Sequence, residues 1–528
     1  MTWYQNAVFY ELYLRAFMDA DGNGHGDFVG LRSKLDYLQW LGVDCIWLLP
    51  IYPSPLKDDG YDIASFFGIH PDFGLLEDFK LTVEEIHRRG MRIIADLVVN
   101  HTSDQHPWFK ESRSSRTSPM RDWYVWSDDN TLYSDARIIF LDTESSNWTY
   151  DEHSGQYYWH RFYSSQPDLN YDNPKVQQAM LDVMKFWLDL GVDGFRVDAV
   201  PYLFEREGTN GENLPETHAY LQRMRAFVDA HYPHRVLLGE ANQWPQDVVK
   251  YFGTSQAPEF NMNFHFPVMP RLYMALAKAD NASVIDILAR TPASPEGTQW
   301  ATFLRNHDEL TLEMVTEEER QFMWETYAPD PIYRMNLGIR RRLAPLMDND
   351  KRKIMLMHSM LFTLPGTPML YYGDEIGMGD DVTQFDRNGV RTPMQWDDSD
   401  NGGFSVAQRE RLYIPPISDP IYGYKSVNVA SQKDDPTSLL SQVRAMIATY
   451  KTLPALTFGT LEWLAGQPSA TLCFTRTYGE ERLLCLHNLS DVPQTVSLPE
   501  GSYSDIFAPE NTYSEQTTLA PYGYVWLR

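Results

Sequence analysis

The chain has 528 residues, of which 43% are hydrophobic and 14% aromatic, enough to bury the cores of about two to four domains. Its formal net charge of −27 argues against nucleic acid and anionic membrane surfaces as partners, because their phosphates would repel it. No apolar run approaches the ~18 residues of a membrane-spanning helix, so we expect no membrane contact.

Cysteine usage indicates a reducing compartment. Cys45, Cys473 and Cys485 are odd in number and far apart, which predicts free, mostly buried thiols and a cytoplasmic location. The start of the chain, MTWYQNAVFYELYLRAF, has no basic region and carries Glu11 within its apolar stretch. It therefore predicts a first strand and not a signal peptide.

Short apolar runs alternate with amphipathic helical patterns along most of the chain. The eight candidate strands are 7–12, 43–49, 92–99, 192–198, 235–240, 259–264, 301–306 and 368–373. The helical patterns include 31–42, 76–90 and 175–191, several of which end at glycine. This alternation predicts an α/β fold with parallel strands, and eight strands favour a (β/α)8 TIM barrel over an open doubly wound sheet.

Two segments depart from the repeat. Residues 101–171 are rich in Trp, Tyr, Ser, Asp and Pro and lack a helical period, which predicts a domain inserted after strand 3. After the helical pattern at 439–453, short alternating runs predict a C-terminal antiparallel β-sandwich domain. We therefore expect a catalytic barrel of residues 1–100 and 172–455, an inserted domain of 101–171 and a β domain of 456–528.

Three acidic residues, Asp198, Glu240 and Asp308, each close a strand-like run. Catalytic residues of a barrel lie at the carboxyl ends of its strands, so the three should converge. Arg196 points the same way as Asp198 and would hold it anionic as a nucleophile, while neighbouring carboxylates would keep Glu240 protonated as a general acid. Each acid alone is as easily a salt-bridged barrel residue, but the three together indicate glycoside chemistry.

A calcium-loop pattern occurs near the N-terminus. The segment DADGNGHGD places oxygen donors at every second position, namely Asp19, Asp21, Asn23, the carbonyl of His25, and Asp27. An EF-hand has glutamate at its twelfth position, where this chain has Gly30. On spacing alone, calcium and an ordinary Asx-rich turn are equal alternatives.

Several longer motifs resemble a known family. DLVVNHTS (96–103), GFRVDAV (194–200), LGEAN (238–242) and RNHDEL (305–310) resemble the four conserved stretches of the α-amylase family, glycoside hydrolase family 13. QPDLN (166–170) is similar to the motif of its oligo-1,6-glucosidase branch. Blocks such as GQYYWHRFYSSQPDLN, NHDELTLEMVTEEER and DRNGVRTPMQW resemble those members of the branch that interconvert maltose and trehalose.

The resemblance implies a retaining mechanism on disaccharides with no organic cofactor. Asp198 would attack maltose, Glu240 would protonate the leaving glucose, and Asp308 would offset positive charge on the sugar. The freed glucose would turn inside a closed pocket and be rejoined as trehalose, with minor hydrolysis. A hydrolase or a sucrose isomerase of the same branch is the nearest alternative. The intact carboxylates argue against a third class, a catalytically inactive binding subunit.

The resemblance also implies the residues that bind substrate. They are Asp59, Tyr61, His101, Phe162, Gln166, Arg196, His307, Glu309, Arg387 and Arg391. Asp59 and Arg391 would fix the first glucose, with Asp58 as the alternative to Asp59 because KDDGYDI is one residue shorter than the corresponding loop of the branch. Glu309 and Arg387 are assigned to the second glucose, and Phe162 is the insert aromatic that we expect against sugar.

Two structural calcium sites follow from the same resemblance. It favours calcium in the N-terminal loop, and it implies a second site that would hold the inserted domain to the barrel. The second site comprises Asn100, Asp168, the carbonyls of Tyr202 and Leu203, and Glu205. The expected partners are thus small disaccharides and calcium, and a homo-oligomer is compatible with the sequence.

Overall fold

A closed barrel of eight parallel strands forms the centre of the molecule in this computed structural model, which describes residues 2–528. The barrel strands, numbered 1 to 8 below, are Phe9–Leu12, Cys45–Leu48, Arg92–Val98, Gly194–Asp198, Val236–Gly239, Met262–Phe264, Gln299–Phe303 and Thr367–Tyr371. Strand 8 pairs with strand 1, with Phe9 opposite Met369. The (β/α)8 prediction is confirmed, and the open sheet is excluded because the first and last strands are hydrogen-bonded.

Helices between the strands pack around the barrel. The longer ones are Phe28–Ser33, Leu35–Leu41, Leu76–Arg88, Pro174–Asp189, Pro215–His231, Val268–Lys278, Ala282–Ala289, Glu317–Tyr327, Lys351–Thr363 and Leu439–Tyr450. The pattern at 31–42 is split at Lys34, whose backbone is not helical. Gly42 ends the second piece at φ 101°, a left-handed conformation that glycine adopts without strain.

The insert leaves and rejoins the barrel at the carboxyl end of strand 3. It contains helix Pro107–Ser114 and a three-stranded antiparallel sheet of Trp126–Ser127, Trp148–Asp151 and Gln156–Trp159. A small core of Ala136, Trp148 and Trp159 fills it. A bridge between His101 and Asp168 brings its two ends together, so the insert lies at the end of the barrel where catalytic residues are expected.

The C-terminal region is an antiparallel β domain, as predicted. Its four-stranded sheet consists of Thr460–Trp463, Thr471–Tyr478, Glu481–Asn488 and Tyr524–Leu527. Because strand side chains alternate, Leu472 and Phe474 join the barrel core, whereas Cys473 packs in a second cluster. That cluster includes side chains of the separate strand pair Gln494–Ser497 and Gln516–Leu519. The two faces of this sheet therefore pack in two separate hydrophobic cores.

Two further sequence predictions concern thiols and membranes. All three cysteines are buried and free, and burial raises the pKa of the Cys485 thiol to about 12, so it is unreactive at neutral pH. Within residues 2–528, no helix combines the length and apolar character needed to cross a bilayer.

Candidate active site

The predicted catalytic acids surround one cavity at the carboxyl ends of the barrel strands. Asp198 is the last residue of strand 4, Glu240 follows strand 5 and Asp308 lies in the loop after strand 7. The cavity is lined by Asp58, Tyr61, His101, Ile139, Phe140, Phe162, Asp198, Ala199, Tyr202, Glu240, Asn242, Phe266, Asn306, Asp308, Glu309, Thr311, Glu313 and Arg387. The structure therefore brings all three acids together.

The guanidinium of Arg196 joins the acids of strands 3, 4 and 5. Arg196 is buried and lies opposite Asp96 in the register of strands 3 and 4. It donates hydrogen bonds to Asp96, Asp198 and Glu240. Glu240 also accepts the backbone N–H of Ala199 at 3.0 Å. Two carboxyls that share one cation are held side by side, the arrangement that a retaining mechanism uses.

The environment separates the pKa values of the two acids. Burial, together with the charges of Asp198 and Asp308, raises the pKa of Glu240 to about 8 against the opposing effect of Arg196. Burial also raises the pKa of Asp198, to about 6, although Arg196 lowers it. The sequence predicted charge neighbours as the main cause, whereas burial is the larger one. At neutral pH Asp198 is ionised and Glu240 carries a proton.

Asp308 has the opposite environment. Its Oδ1 atom accepts hydrogen bonds from Arg387 at 2.8 Å and from Arg391 at 2.9 Å. Burial alone would raise its pKa, but His307, Arg387 and Arg391 hold the pKa well below the usual range. Asp308 is therefore a fixed negative charge beside the other two acids, suited to stabilise a cationic sugar.

The predicted substrate-binding residues fall into two layers. Five line the cavity: Tyr61, His101, Phe162, Glu309 and Arg387. The other five do not line it and instead lie behind the lining side chains: Asp59, Gln166, Arg196, His307 and Arg391. Four of these five contact lining residues directly, and Asp59 contacts Arg391, so they are placed to orient groups that face substrate.

The structure places Asp58, the alternative residue, on the cavity wall in place of Asp59. Asp58 accepts hydrogen bonds from Arg387 at 2.7 Å and from Gln166 at 2.8 Å. Asp59 has a backbone φ of 46° and its carboxylate pairs with Arg391 at 2.7 Å, behind the wall. The left-handed turn at Asp59 in the shorter loop directs the two consecutive carboxylates to different layers.

Several lining residues were not predicted from the sequence. Asn242, Thr311 and Glu313 lie within or beside blocks that carry the family resemblance, yet no spacing or charge pattern distinguishes them. Ile139 and Phe140 belong to the insert, where the sequence offers no periodicity. The position of Asn242, Thr311 and Glu313 beside the family motifs could have indicated them, because residues that flank the end of a catalytic strand face the same cavity.

The N-terminal loop presents oxygen donors suited to a hard cation. Carboxylate oxygens of Asp19, Asp21 and Asp27 lie within 4.8 Å of one another. Asn23 accepts the backbone N–H of His25 at 2.8 Å and so closes the same turn. The donor set fits calcium, although the same hydrogen bonds also describe an Asx-rich turn.

The second predicted site lies where the insert returns to the barrel. Asn100 follows strand 3, and its Oδ1 atom is buried without a hydrogen-bond partner in residues 2–528, as is Oδ2 of Asp168. Burial raises the pKa of Glu205 to about 8. Tyr202 and Leu203 end the short turn between strand 4 and Glu205. Buried oxygens without partners fit a cation that would supply the missing interaction.

The barrel, its insert and the carboxylate site define a (β/α)8 enzyme of glycoside chemistry. Residues 11–328 and 339–459 match the family model described as alpha amylase, catalytic domain, and residues 461–526 match the maltogenic amylase C-terminal domain. The chain belongs to the α-amylase family.

Comparison with known proteins shows which members of this family the chain is similar to. The chain is 54% identical to a trehalose synthase of Pimelobacter sp., over 100% of this chain and 96% of that protein. It is also 54% identical to the trehalose synthase/amylase TreS of Mycobacterium tuberculosis, over 100% and 90%. Its structure is similar to that of the trehalulose synthase MutB from Pseudomonas mesoacidophila, with a TM-score of 0.82, 29% identity and coverage of 100% and 99%.

The pKa values predict a bell-shaped pH dependence of kcat/KM. Below about 6 Asp198 becomes protonated and cannot attack, and above about 8 Glu240 loses the proton that it must donate. With α-D-glucosyl fluoride, whose leaving group needs no acid, the Glu240→Ala variant should still be glucosylated, and its profile should lack the alkaline limb that wild type shows with maltose. Fluoride release measured across pH tests this, and an alkaline limb that persists in the variant would assign it to another group.

Proposed function

We propose that this protein is an isomerase that interconverts maltose and trehalose by transferring a glucosyl unit within one bound disaccharide, with minor hydrolysis to glucose. The observation that carries this function is the identity of 54% to trehalose synthases along the whole chain, joined to an intact three-acid site. The disaccharides are its small-molecule partners, and the charge of −27 argues against nucleic acid.

The geometry accounts for the chemistry in two steps. The Asp198 carboxylate attacks the anomeric carbon of the non-reducing glucose, the glycosidic C–O bond breaks and Glu240 gives its proton to the departing oxygen. Glu240, now ionised, then takes a proton from the anomeric hydroxyl of the freed glucose. That oxygen attacks the glucosyl carbon and releases Asp198, so atoms and charge balance without water.

A clamp between the insert and two loops beside the cavity favours isomerisation over hydrolysis. Arg137 of the insert donates hydrogen bonds to Glu313 at 2.7 Å, to Glu212 at 2.9 Å and to the Tyr202 hydroxyl at 3.0 Å. These partners belong to the loops after strands 4 and 7. Tyr202 and Glu313 line the cavity, so a clamp that joins the insert to their loops would retain the freed glucose and limit the entry of water.

A second contact joins the insert to the loop after strand 7 beside Glu309. The backbone N–H of Asn336 donates to Asp142 of the insert at 2.7 Å. The side chain of Asn336 donates to Glu309 at 3.1 Å, and the other carboxylate oxygen of Glu309 is buried without a partner in residues 2–528. Glu309 is thus held at the cavity wall by the same asparagine that contacts the insert, which supports its assignment to the second glucose.

The first experiment is incubation of the purified protein with maltose and, separately, with trehalose. We expect both reactions to approach the same maltose-to-trehalose ratio with little glucose, because an enzyme accelerates both directions of one equilibrium. Anion-exchange chromatography of the products measures the ratio. Glucose as the only product would establish a hydrolase, and isomaltulose from a parallel sucrose reaction would establish a sucrose isomerase.

The clamp predicts a shift in product partition when it is removed. An Arg137→Ala variant should raise the glucose share of the products roughly fivefold. This is the effect of losing about 1 kcal/mol of free energy that stabilises the clamped arrangement. Total turnover of maltose should change less.

Arg116→Ala is the matched control, because Arg116 is another insert arginine with an ion pair, to Asp128 at 3.0 Å, and does not line the cavity. Equal glucose shares in the two variants would show that the clamp does not control partition.

Two structural calcium ions are part of the proposal. The first would be held by Asp19, Asp21, Asn23, the His25 carbonyl and Asp27. The second would be held by Asn100, Asp168, Glu205 and the carbonyls of Tyr202 and Leu203, and would fasten the insert over the barrel. The buried oxygens without partners at the second site support it. Calcium would supply stability at both sites and no catalytic step.

Removal of calcium should therefore lower thermal stability. Treatment with a chelator should reduce the Tm, and added calcium, but not magnesium, should restore it, because the smaller ion demands stricter octahedral geometry. Calorimetry of the wild type and of Asp168→Asn checks this. A Tm that changes with neither chelator nor added calcium would contradict the proposal that the protein binds calcium.

A cytoplasmic location also belongs to the proposal. It is supported by the three buried free thiols, which suit a reducing compartment.

A further inference from the structure

One buried carboxyl beneath the active site has no part in the chemistry described so far. Glu11 lies on strand 1, is 1% exposed and does not line the cavity. Its Oε1 atom lies 3.1 Å from the backbone nitrogen of His307 and 2.5 Å from the ring nitrogen Nδ1 of the same residue. A single oxygen therefore holds both the backbone and the ring of His307.

His307 connects this carboxyl to the catalytic centre. Its other ring nitrogen, Nε2, lies 2.8 Å from the hydroxyl of Tyr61, and the two rings stack at 9° with centroids 5.4 Å apart. The carbonyl of His307 accepts a hydrogen bond from Arg391 at 2.8 Å, and Arg391 holds Asp308. Any rotation of the His307 ring would displace Tyr61 on the cavity wall.

We propose that Glu11 is a positioning residue, which fixes the His307 ring and through it the Tyr61 face of the sugar site. The inference rests on the proposed function, since it concerns the same glucosyl transfer. Glu11 accepts the backbone N–H and the Nδ1–H of His307 through one oxygen. An amide oxygen of the same reach can accept both groups, whereas an apolar side chain leaves both without a partner. Burial raises the pKa of Glu11 well above its usual value, so a neutral replacement is compatible with the site.

The chain offers a matched control on the other face of strand 1. Tyr10 points out of the barrel and donates to Glu375 at 2.8 Å, and Tyr37 donates to the same oxygen at 2.7 Å. Glu375 is as deeply buried as Glu11, and burial raises its pKa as well. It does not line the cavity, and its hydrogen-bond partners within residues 2–528 are Tyr10 and Tyr37 and not His307, so its replacement measures the cost of removing a buried carboxyl alone.

The experiment compares Glu11→Gln, Glu11→Met and Glu375→Met with 4-nitrophenyl α-D-glucoside, whose cleavage requires only α-glucoside chemistry. Glu11→Gln should stay within about threefold of wild type. Glu11→Met should lose about 100-fold in kcat, the effect of a small misplacement in the site, with a smaller change in KM. Glu375→Met should lower the Tm with kcat nearly unchanged. If Glu11→Met does not fold, Glu11→Ala, which leaves room for water, should show the same loss of kcat.

A double-mutant cycle with His307→Ala decides whether Glu11 acts through His307. Glu11→Met should change kcat less than threefold once the ring is absent. An undiminished loss in the His307→Ala background, unaltered kcat in both Glu11→Met and Glu11→Ala, or an equal loss in Glu375→Met would overturn the inference. A wild-type enzyme that only hydrolyses maltose would contradict the proposed function, while the nitrophenyl assay would still test Glu11.

Discussion

The buried guanidinium of Arg196 is the interaction on which the site depends. It lies among Asp96, Asp198 and Glu240 inside the barrel, where unpaired carboxylates would repel one another and be expensive to desolvate. Because Asp96 and Arg196 are paired in the register of neighbouring strands, the same cation couples strand alignment to the placement of both acids. Fold and chemistry therefore share one cluster of charges.

The surroundings of the three catalytic carboxyls give each a different protonation state. Asp198 and Glu240 share Arg196, yet burial and the charges nearby leave Glu240 with the higher pKa. Asp308 receives two further arginines and stays ionised. A nucleophile, an acid and a permanent anion thus arise from three carboxyls.

The sequence predicted those parts of the molecule that depend on local pattern. Short, mostly apolar runs marked all eight barrel strands, and position at the end of such a run marked Asp198, Glu240 and Asp308. The choice between Asp58 and Asp59 required the sign of one backbone φ, which no pattern reveals. The clamp of Arg137 on Glu313 joins residues 176 positions apart, so it exists only after folding. The calcium sites stay predictions.

The bridge between His101 and Asp168 has a consequence for how such enzymes can diverge. Because the insert departs and returns at one point, the chain between these residues can lengthen or shorten with little entropic cost and without disturbing the strand register. The size of the cavity and its access to water can then change while the three catalytic acids keep their positions. Because the insert is attached at the end of one strand, changes in the insert can alter the reaction product while the barrel stays the same.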